Sequence, residues 1–297
     1  MADGKGRAQM GVSDPFGPLS RRYAPDQIDF LREVLDGDEP FLSPEFITAA
    51  AHEVVHYHGE RSVEELRPLR PMIFTRAWAR LTAEAGGRPR APQRVDMTRD
   101  DVTSLRREIP YSFFFALDDR TIKHRHFDGS ESNDMTRAAF LMADAVTVLP
   151  YDPVRDRVLV IEQFRFGPFA RGDKRPWMLE PIAGRVDAGE GPEATARREG
   201  EEEAGVTIGA LHKIAEYYPS SGAITEYVTS YIGIADLPDG ITQTGGGLDH
   251  EHEDIASYLM SFDDLMAMCD AGQLDVGPLY MSALWLARHR EKIRAHG

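Results

Sequence analysis

Cysteine is nearly absent from this chain of 297 residues, in which Cys269 stands alone. A single cysteine excludes an internal disulfide and is typical of proteins kept in a reducing compartment. Apolar runs are short, and none approaches the roughly 18 residues that a membrane-spanning helix needs. The first residues contain no apolar segment of the kind that indicates a secretory signal. We therefore expect a cytoplasmic protein that makes no membrane contact.

Basic residues are also scarce, with 34 lysines and arginines against 49 acidic residues and a formal charge of −15. Nucleic-acid binding depends on neutralising phosphates with basic side chains, so we expect no nucleic-acid partner. An anionic substrate would need locally placed arginines or bound cations. The hydrophobic share of 42% and the charged share of 28% suit one or two globular domains.

The chain divides into two halves of different pattern. Residues 25–84 have helical periodicity, with helices predicted from Pro25 to near Gly37, from Ser43-Pro44 onward and over 71–84. Strands are predicted at 111–117, 121–127, 145–151, 157–164, 177–182, 211–218, 226–234 and 255–260. Further helices are predicted at 192–204, 262–271 and 278–295. This order favours an α/β fold (111–297) after a mainly helical extension (1–110), whose role the sequence leaves open.

One predicted helix gathers acidic residues on a single face. Glu199, Glu202 and Glu203 are spaced i, i+3 and i+4, and like charges at this spacing repel by a few tenths of a kcal/mol per pair. A solvated acidic face paired with Arg197 and Arg198 is one interpretation. A site for Mg²⁺ or Mn²⁺ is the other, because carboxylate oxygens suit hard cations. The spacing alone leaves both open.

A second face of the same helix carries Ala196, Gly200 and Ala204. Small residues at i, i+4 and i+8 let a helix approach a sheet closely. Gly200 costs about 1 kcal/mol relative to alanine inside a helix, so close packing is the expected reason for it.

The longer pattern around this helix resembles the Nudix box, G-x5-E-x7-R-E-U-x-E-E-x-G-U, in which U is apolar. It begins at Gly184, continues through Glu190 and ends with Arg198-Glu199-Gly200-Glu201-Glu202-Glu203-Ala204-Gly205-Val206. Gly200 departs from the pattern, because the family usually has a larger apolar residue there. Several other segments resemble the ADP-ribose pyrophosphatase branch of the Nudix hydrolases: 111–127, 149–156, 162–165, 176–180, 218–222 and 247–255.

The resemblance covers roughly residues 111–295 and carries several expectations. It implies a Nudix α/β/α sandwich with a mixed sheet. It also implies Mg²⁺-dependent cleavage (Mn²⁺ as an alternative ion) of ADP-ribose to AMP and ribose 5-phosphate. Another nucleoside-diphosphate sugar, such as GDP-mannose or ADP-glucose, is the alternative substrate. A homodimer is implied, with strands within 111–135 crossing to the partner.

Site residues follow from the same resemblance. The carbonyl of Ala183 and the carboxylates of Glu199 and Glu203 are expected to bind metal, with Glu202 contributing directly or through water. Glu190 and Arg198 are expected to hold the loop and helix together. The remaining candidates are a catalytic base on a glycine-rich loop (Glu251, or its neighbour Glu253), two diphosphate-binding arginines (Arg137 and Arg165), adenine-stacking rings (Phe114 and Phe115) and a ribose contact (Glu226).

Two other function classes stay open at this point. His52, Glu53 and His56 satisfy H-E-x-x-H, in which two histidines hold zinc and the glutamate acts as base in metalloproteases. The extended form of that motif fails, because Ser62 stands where a third histidine is required. The other class is a Nudix-derived binding module without hydrolysis, against which the intact acidic set argues.

Overall fold

The structure is a computed structural model that describes residues 14–86, 96–241, 244–247 and 253–295. Its N-terminal part is helical, as predicted. The helices are α1 (Pro25–Leu35), α2 (Pro44–Val54), the short α3 (Val63–Leu66) and α4 (Arg70–Ala85). Ser43 caps α2 by accepting a hydrogen bond from the Phe46 amide at 3.2 Å. Pro44 fits the first turn, where its missing amide hydrogen leaves no bond unmade.

These four helices bury a core of their own. Leu31, Phe46, Ile47 and Ile73 are fully buried within it, and the core continues onto Ile109 from the β-rich half. The periodicity read from residues 25–84 therefore reflects real burial. The apolar face of the helical extension therefore also packs on the strand that carries Ile109.

A small sheet follows the helices, and within the described residues it has the strand order β1 (Val102–Ser112), β2 (Ala116–His124) and β3 (Met135–Leu141). Both pairings are antiparallel. The predicted strand 111–117 is wrong, because Phe113 to Phe115 form the turn between β1 and β2. Strand propensity is high in three successive phenylalanines, but Phe113 and Phe114 are 60% and 52% exposed at the hairpin tip.

The sequence pattern also missed most of β1 and all of β3. β1 begins at Val102, inside the segment assigned to the extension, and its residues are mostly exposed on both faces. β3 is equally exposed. Strands without a buried face show no apolar alternation, so period-two patterning could not find them.

The main sheet is mixed, since β4 pairs in parallel with β9 while the other pairings are antiparallel. Its order among the described strands is β10-β11-β5-β4-β9-β8, with β6 beside β5 and β7 beside β4. The strands are β4 (Ala145–Asp152), β5 (Arg157–Phe164), β6 (Trp177–Glu180), β7 (Ile182–Arg185), β8 (Leu211–Tyr217), β9 (Val228–Ile234), β10 (Thr244–Gly246) and β11 (Ile255–Ser261). The predicted strand 177–182 is thus two strands.

Helices cover both faces of the main sheet, which confirms the α/β/α sandwich. One face packs on α6 (Pro192–Ala204), and the other packs on α7 (Phe262–Asp270) and α8 (Gly277–Arg294). A short helix that was not predicted, α5 (Phe166–Arg171), joins β5 to β6. Among the described residues, no helix is long and apolar enough to cross a bilayer.

Gly200 is explained by this packing. A Cβ atom at this position would lie 2.7 Å from Ile208 Cγ1 and 3.0 Å from the Val206 carbonyl oxygen. The helix therefore lies against the segment that follows it more closely than any side chain would allow. Ala196 and Ala204 are buried on the same face, as the spacing predicted.

Candidate active site

The acidic helix, α6, packs two of its carboxylates against strand β7. Glu203 is 2% exposed and accepts a hydrogen bond from the Ala183 amide at 3.1 Å. Burial raises the pKa of Glu203, and the charges of Glu199 and Glu253 raise it further. Burial likewise raises the pKa of Glu199 to about 7. A buried and a partly buried carboxylate held close together make a site that favours a bound cation.

A glycine lets Glu199 reach the strand. A Cβ atom on Gly184 would lie 1.9 Å from Glu199 Oε1 and 2.1 Å from Glu199 Cδ. The carboxylate therefore lies directly on the β7 backbone, next to Ala183. The glycine that opens the sequence pattern has a packing role at the site.

Arg198 joins the loop to the helix, as predicted. Its Nη1 atom lies 2.8 Å from both Glu199 Oε1 and Glu202 Oε2, and its Nη2 atom lies 3.1 Å from Glu190 Oε2. Nη2 also donates to the Arg185 carbonyl oxygen at 3.2 Å. Three carboxylates of the box thus share one guanidinium group.

Hard carboxylate oxygens, one of them buried, suit a divalent cation. Among the described residues, no three acidic, histidine or cysteine side chains converge at metal-ligand spacing in this conformation. Arg198 accounts for this, because it bridges Glu199 and Glu202 while Glu203 bonds to the backbone. A bound ion would draw Glu199 away from Arg198. The residues therefore fit a metal ion through a small rearrangement of side chains.

The candidate bases lie on the segment that leads into β11. Glu251 lies outside the described residues. Glu253 is described, and its charge raises the pKa of both Glu199 and Glu203. Gly247, beside it, donates its amide to the Glu202 carbonyl oxygen at 3.2 Å. The end of the glycine-rich loop is therefore attached to α6, next to the acidic residues.

Arg165 is brought to the same place by the end of β5. It donates from Nε to Glu180 Oε2 at 2.8 Å, and its charge lowers the pKa of Glu203 and of Glu226. Burial outweighs that effect for Glu226 and raises its pKa. Burial, together with the charge of Glu226, raises the pKa of Asp144 to about 7. Glu180 and Asp144 are site neighbours that the sequence did not single out; Glu180 does end a segment that resembles the family.

The aromatic candidates have different surroundings. Arg185 follows Gly184 in the chain. Its guanidinium lies 4.6 Å from the ring centroid of Phe114, so Phe114 borders the box. Phe115 packs on Phe140 at 4.7 Å and on Tyr111 at 5.3 Å, inside the small sheet. Phe115 therefore packs within the small sheet.

Arg137 makes its hydrogen bond within the small sheet. It lies on β3 opposite Arg120, and it donates from Nη1 to the Thr136 carbonyl oxygen. Its guanidinium borders a cavity between the small sheet and the helices. A sequence match cannot show this, because the position of the small sheet depends on the helices it packs against.

The H-E-x-x-H interpretation is wrong. Glu53 is buried and accepts hydrogen bonds from Arg76 at 2.7 and 2.9 Å and from the Tyr57 hydroxyl at 3.0 Å. His52 Nδ1 lies 2.8 Å from Arg107 Nη1, and burial with that charge lowers the pKa of His52 to about 3. Two cations beside the motif repel zinc, and its glutamate is already an ion-pair partner. The side chains of Glu53 and His52 thus serve the packing of α2 against α4 and β1.

Comparison with known proteins agrees with this geometry. The NUDIX domain profile matches residues 141–280. The ADP-ribose pyrophosphatase of Escherichia coli (strain K12) is 33% identical over 202 residues, which are 67% of this chain and 94% of that protein. The chain belongs to the Nudix family. The Haemophilus influenzae ADP-ribose pyrophosphatase is 33% identical over 193 residues, 64% of this chain and 87% of its own.

A third relative of this Nudix hydrolase has another described substrate. The GDP-mannose pyrophosphatase of Escherichia coli O139:H28 is 29% identical over 177 residues, covering 59% of this chain and 90% of the relative. The family match and the relatives, which are hydrolases, identify an enzyme and do not favour a binding module. The chain has all three carboxylates of the box, Glu199, Glu202 and Glu203. The family generally uses divalent metal ions.

Proposed function

We propose that this enzyme hydrolyses the diphosphate linkage of ADP-ribose with Mg²⁺, releasing AMP and ribose 5-phosphate. The observation that carries the proposal is the pair formed by the buried Glu203 and the partly buried Glu199, placed against the backbone of β7 with Arg165 nearby. Relatives described as ADP-ribose pyrophosphatases support the choice of substrate. Mn²⁺ is the alternative ion, since both metals prefer oxygen ligands.

The roles divide between holding the ion and holding the substrate. Glu199, Glu203 and the Ala183 carbonyl are assigned as its ligands, and Glu202 contributes directly or through water. When bound, the ion neutralises the diphosphate and lowers the pKa of a coordinated water molecule. The acidic set alone would repel a diphosphate, so metal and substrate affinity are coupled.

Arg165 is assigned to the diphosphate. Glu180 holds its guanidinium from one side, which fixes the direction in which the remaining donors point. Arginine suits this role because its planar fork matches phosphate oxygens. Phe114 is assigned to stacking on the adenine, and Glu226 to the terminal ribose. For Arg137, the cavity position makes the assigned diphosphate contact depend on a different arrangement of the small sheet.

The water-activating base is assigned to Glu251, with Glu253 as the substitute. The segment that carries Glu251 adjoins Gly247 and Glu253, both of which touch the acidic helix or act on its carboxylates. A base must come within hydrogen-bond reach of its water in the substrate complex. A loop that closes over substrate satisfies this only after binding.

The decisive experiment is a substrate panel with product identification. ADP-ribose, GDP-mannose, ADP-glucose and NADH are incubated with enzyme and Mg²⁺, and with EDTA as control. We expect AMP and ribose 5-phosphate from ADP-ribose, and no product with EDTA. Preference for GDP-mannose would favour the second candidate, which the 29% identical relative supports.

A matched pair of variants tests the site itself. Glu203→Gln is expected to lower kcat by about a hundredfold or more, because it removes a metal ligand. Glu201→Gln on the exposed face of the same helix serves as the control and is expected to leave kcat unchanged. Full turnover of Glu203→Gln in saturating Mg²⁺ would contradict the assignment.

The proposal includes a cytoplasmic homodimer formed through the small sheet. Tyr111, Phe113 and Phe140 are 48%, 60% and 39% exposed. Contiguous exposed aromatic groups mark interaction surfaces. Analytical ultracentrifugation is expected to show a dimer that Phe113→Asp weakens. A monomeric wild-type protein would refute both the dimer and the crossing of residues within 111–135.

A further inference from the structure

A large cavity lies between the helical extension, the small sheet and the beginning of the main sheet. Its volume is about 1350 Å³. Much of its wall is apolar, with Ala49, Ala77, Ala83, Ala138 and Leu141 among the lining residues. A cavity of nucleotide size or larger, mainly apolar but with a few charged groups, is typical of a small-molecule site.

Arginines form a row across one wall of this cavity. Arg107 on β1 pairs in register with Arg120 on β2, and Arg120 pairs with Arg137 on β3. All three line the cavity. Like charges directly opposite each other destabilise a sheet, so this arrangement is unfavourable by itself. Within the small sheet, the repulsion in this row is offset by a single carboxylate, Asp118, which pairs with Arg107 and Arg120.

Arg80 adds a fourth cation from the facing helix α4. Burial and the charges of Arg99, Arg107 and Arg120 lower its pKa, opposed by Glu84. Its side chain is 26% exposed, and Glu84 is its ion-pair partner at 2.6 Å. The arginine comes from the helical extension, so helix and sheet contribute to one positive region.

Acidic partners do not balance this region. Asp118 is the shared partner of Arg107 at 2.9 Å and of Arg120 at 2.6 Å, so one carboxylate serves two guanidinium groups. Glu84 pairs with Arg80, and the remaining acids of the cavity lie away from these arginines or pair with other residues. Glu53 is paired with Arg76, Glu190 is paired with Arg198, and Glu216 and Asp144 come from the main-sheet side.

The strongest charges acting on the buried His52 agree with this distribution. Arg107, Arg80 and Arg120 all lower its pKa, and Asp118 is the acid that opposes them. In a protein with a formal charge of −15, a partly buried concentration of positive charge is unexpected. A bound anion would relieve the repulsion, since charge-assisted bonds from arginine to phosphate are strong and often bidentate.

We propose that this cavity binds a phosphorylated small molecule of nucleotide size. Arg80, Arg107 and Arg120 hold the phosphate, and the alanine-lined wall takes the apolar or ring portion. The site is separate from the catalytic one. Among the described residues, neither Arg165 nor the carboxylates of Glu199 and Glu203 line the cavity.

The two sites nevertheless adjoin. Trp78 lines the cavity and donates from Nε1 to the Glu190 carbonyl oxygen at 3.1 Å. Glu190 in turn is held by Arg198. The helical extension, which lies largely outside the family match, thereby contacts the loop that precedes the catalytic helix.

The test uses AMP titrated calorimetrically into full-length protein in EDTA, which suppresses metal-dependent binding at the catalytic residues. Arg80→Gln and Arg120→Gln are compared with the matched control Arg106→Gln, an exposed β1 residue that is not among the described residues lining the cavity, and with Arg165→Gln, which reports binding at the catalytic site. We expect each cavity variant to lose about tenfold or more in affinity, as loss of a charge-assisted bond does. The control is expected to bind AMP within about twofold of wild type.

Thermal denaturation separates binding from structure. Inorganic phosphate is expected to raise the wild-type Tm more than chloride does at equal ionic strength, because a ligand of the native state stabilises it. That difference is expected to shrink in Arg80→Gln to the general stabilisation that phosphate gives a folded protein. The Tm of Arg80→Gln without phosphate is expected to fall only slightly, because the ion pair lost with Glu84 is partly exposed. If Arg80→Gln fails to fold, Arg120→Gln decides. Unchanged AMP affinity in the folded cavity variants, or loss of affinity in Arg165→Gln alone, would overturn the proposal.

Discussion

Two glycines of the box predict opposite consequences for the same substitution. At Gly184 an alanine Cβ atom would lie 1.9 Å from Glu199 Oε1, the movable end of a flexible side chain. At Gly200 it would lie 2.7 Å from Ile208 Cγ1 and 3.0 Å from the Val206 carbonyl oxygen, which are held by the core. Gly184→Ala should therefore displace a metal ligand, whereas Gly200→Ala should strain the packing.

The magnitudes follow from these distances. Real Cβ contacts essentially never fall under 3.0 Å, so the Glu199 carboxylate must move by about 1 Å or more. A misplacement of about 1 Å at a reaction site can cost about a hundredfold in rate. Overpacking costs about 1–3 kcal/mol. At Gly200 the better helix propensity of alanine returns about 1 kcal/mol, leaving a net destabilisation of about 0–2 kcal/mol.

The assay measures both quantities for both variants. Urea denaturation gives the free energy of unfolding, and steady-state hydrolysis of ADP-ribose in saturating Mg²⁺ gives kcat per folded molecule. We expect Gly184→Ala to be near wild type in stability and to lose about tenfold to a hundredfold in kcat. Gly200→Ala should keep its kcat and lose stability. Wild-type turnover by Gly184→Ala, or equal losses of turnover in the two variants, would refute this reasoning.

Three further predictions concern other parts of the molecule. Glu53→Gln should lower the free energy of unfolding by about 3–5 kcal/mol, because it leaves the buried guanidinium of Arg76 unpaired, and urea denaturation measures this; an unchanged Tm would contradict it. The pKa of Asp144 is about 7 in the folded protein against 3.8 in the unfolded chain, so the native state binds this proton more tightly. The contribution of Asp144 to the free energy of unfolding therefore falls as pH rises from about 4 to 7. Asp144→Asn should therefore gain up to about 4 kcal/mol relative to wild type at pH 8 and much less at pH 5, and equal differences at both pH values would count against this. Glu251→Gln should lower kcat more than Glu253→Gln, and the reverse order would assign the base to Glu253.

The catalytic helix was predictable because its determinants are local. Pro192 at the first turn and Gly205 in the left-handed conformation end α6 where the pattern placed its limits. Helical spacing then puts Glu199 and Glu203 on one face without any knowledge of the fold. The resemblance to a known family rested on the same local spacing.

Two strands of the small sheet, β1 and β3, were largely missed by the sequence pattern, whereas the predicted strand 121–127 overlaps β2. β1 and β3 bury little on either face, so they carry no apolar alternation, and the phenylalanines from 113 to 115 look like a strand although they form a turn. The pairing of the small sheet joins β1, β2 and β3, whose register only the folded chain defines. The row made by Arg107, Arg120 and Arg137 exists only in that register.

The sequence by itself determined the family, the limits of the helix α6 and the set of acidic residues assigned to a metal, since these depend on spacing along one element. Tertiary structure decided what each charged group contacts. It turned Glu53 of a zinc-like motif into the partner of Arg76, and it placed Arg137 at a cavity beneath the helical extension. The physical reason is that an ion pair depends on which distant elements pack together, and local spacing carries no information about that.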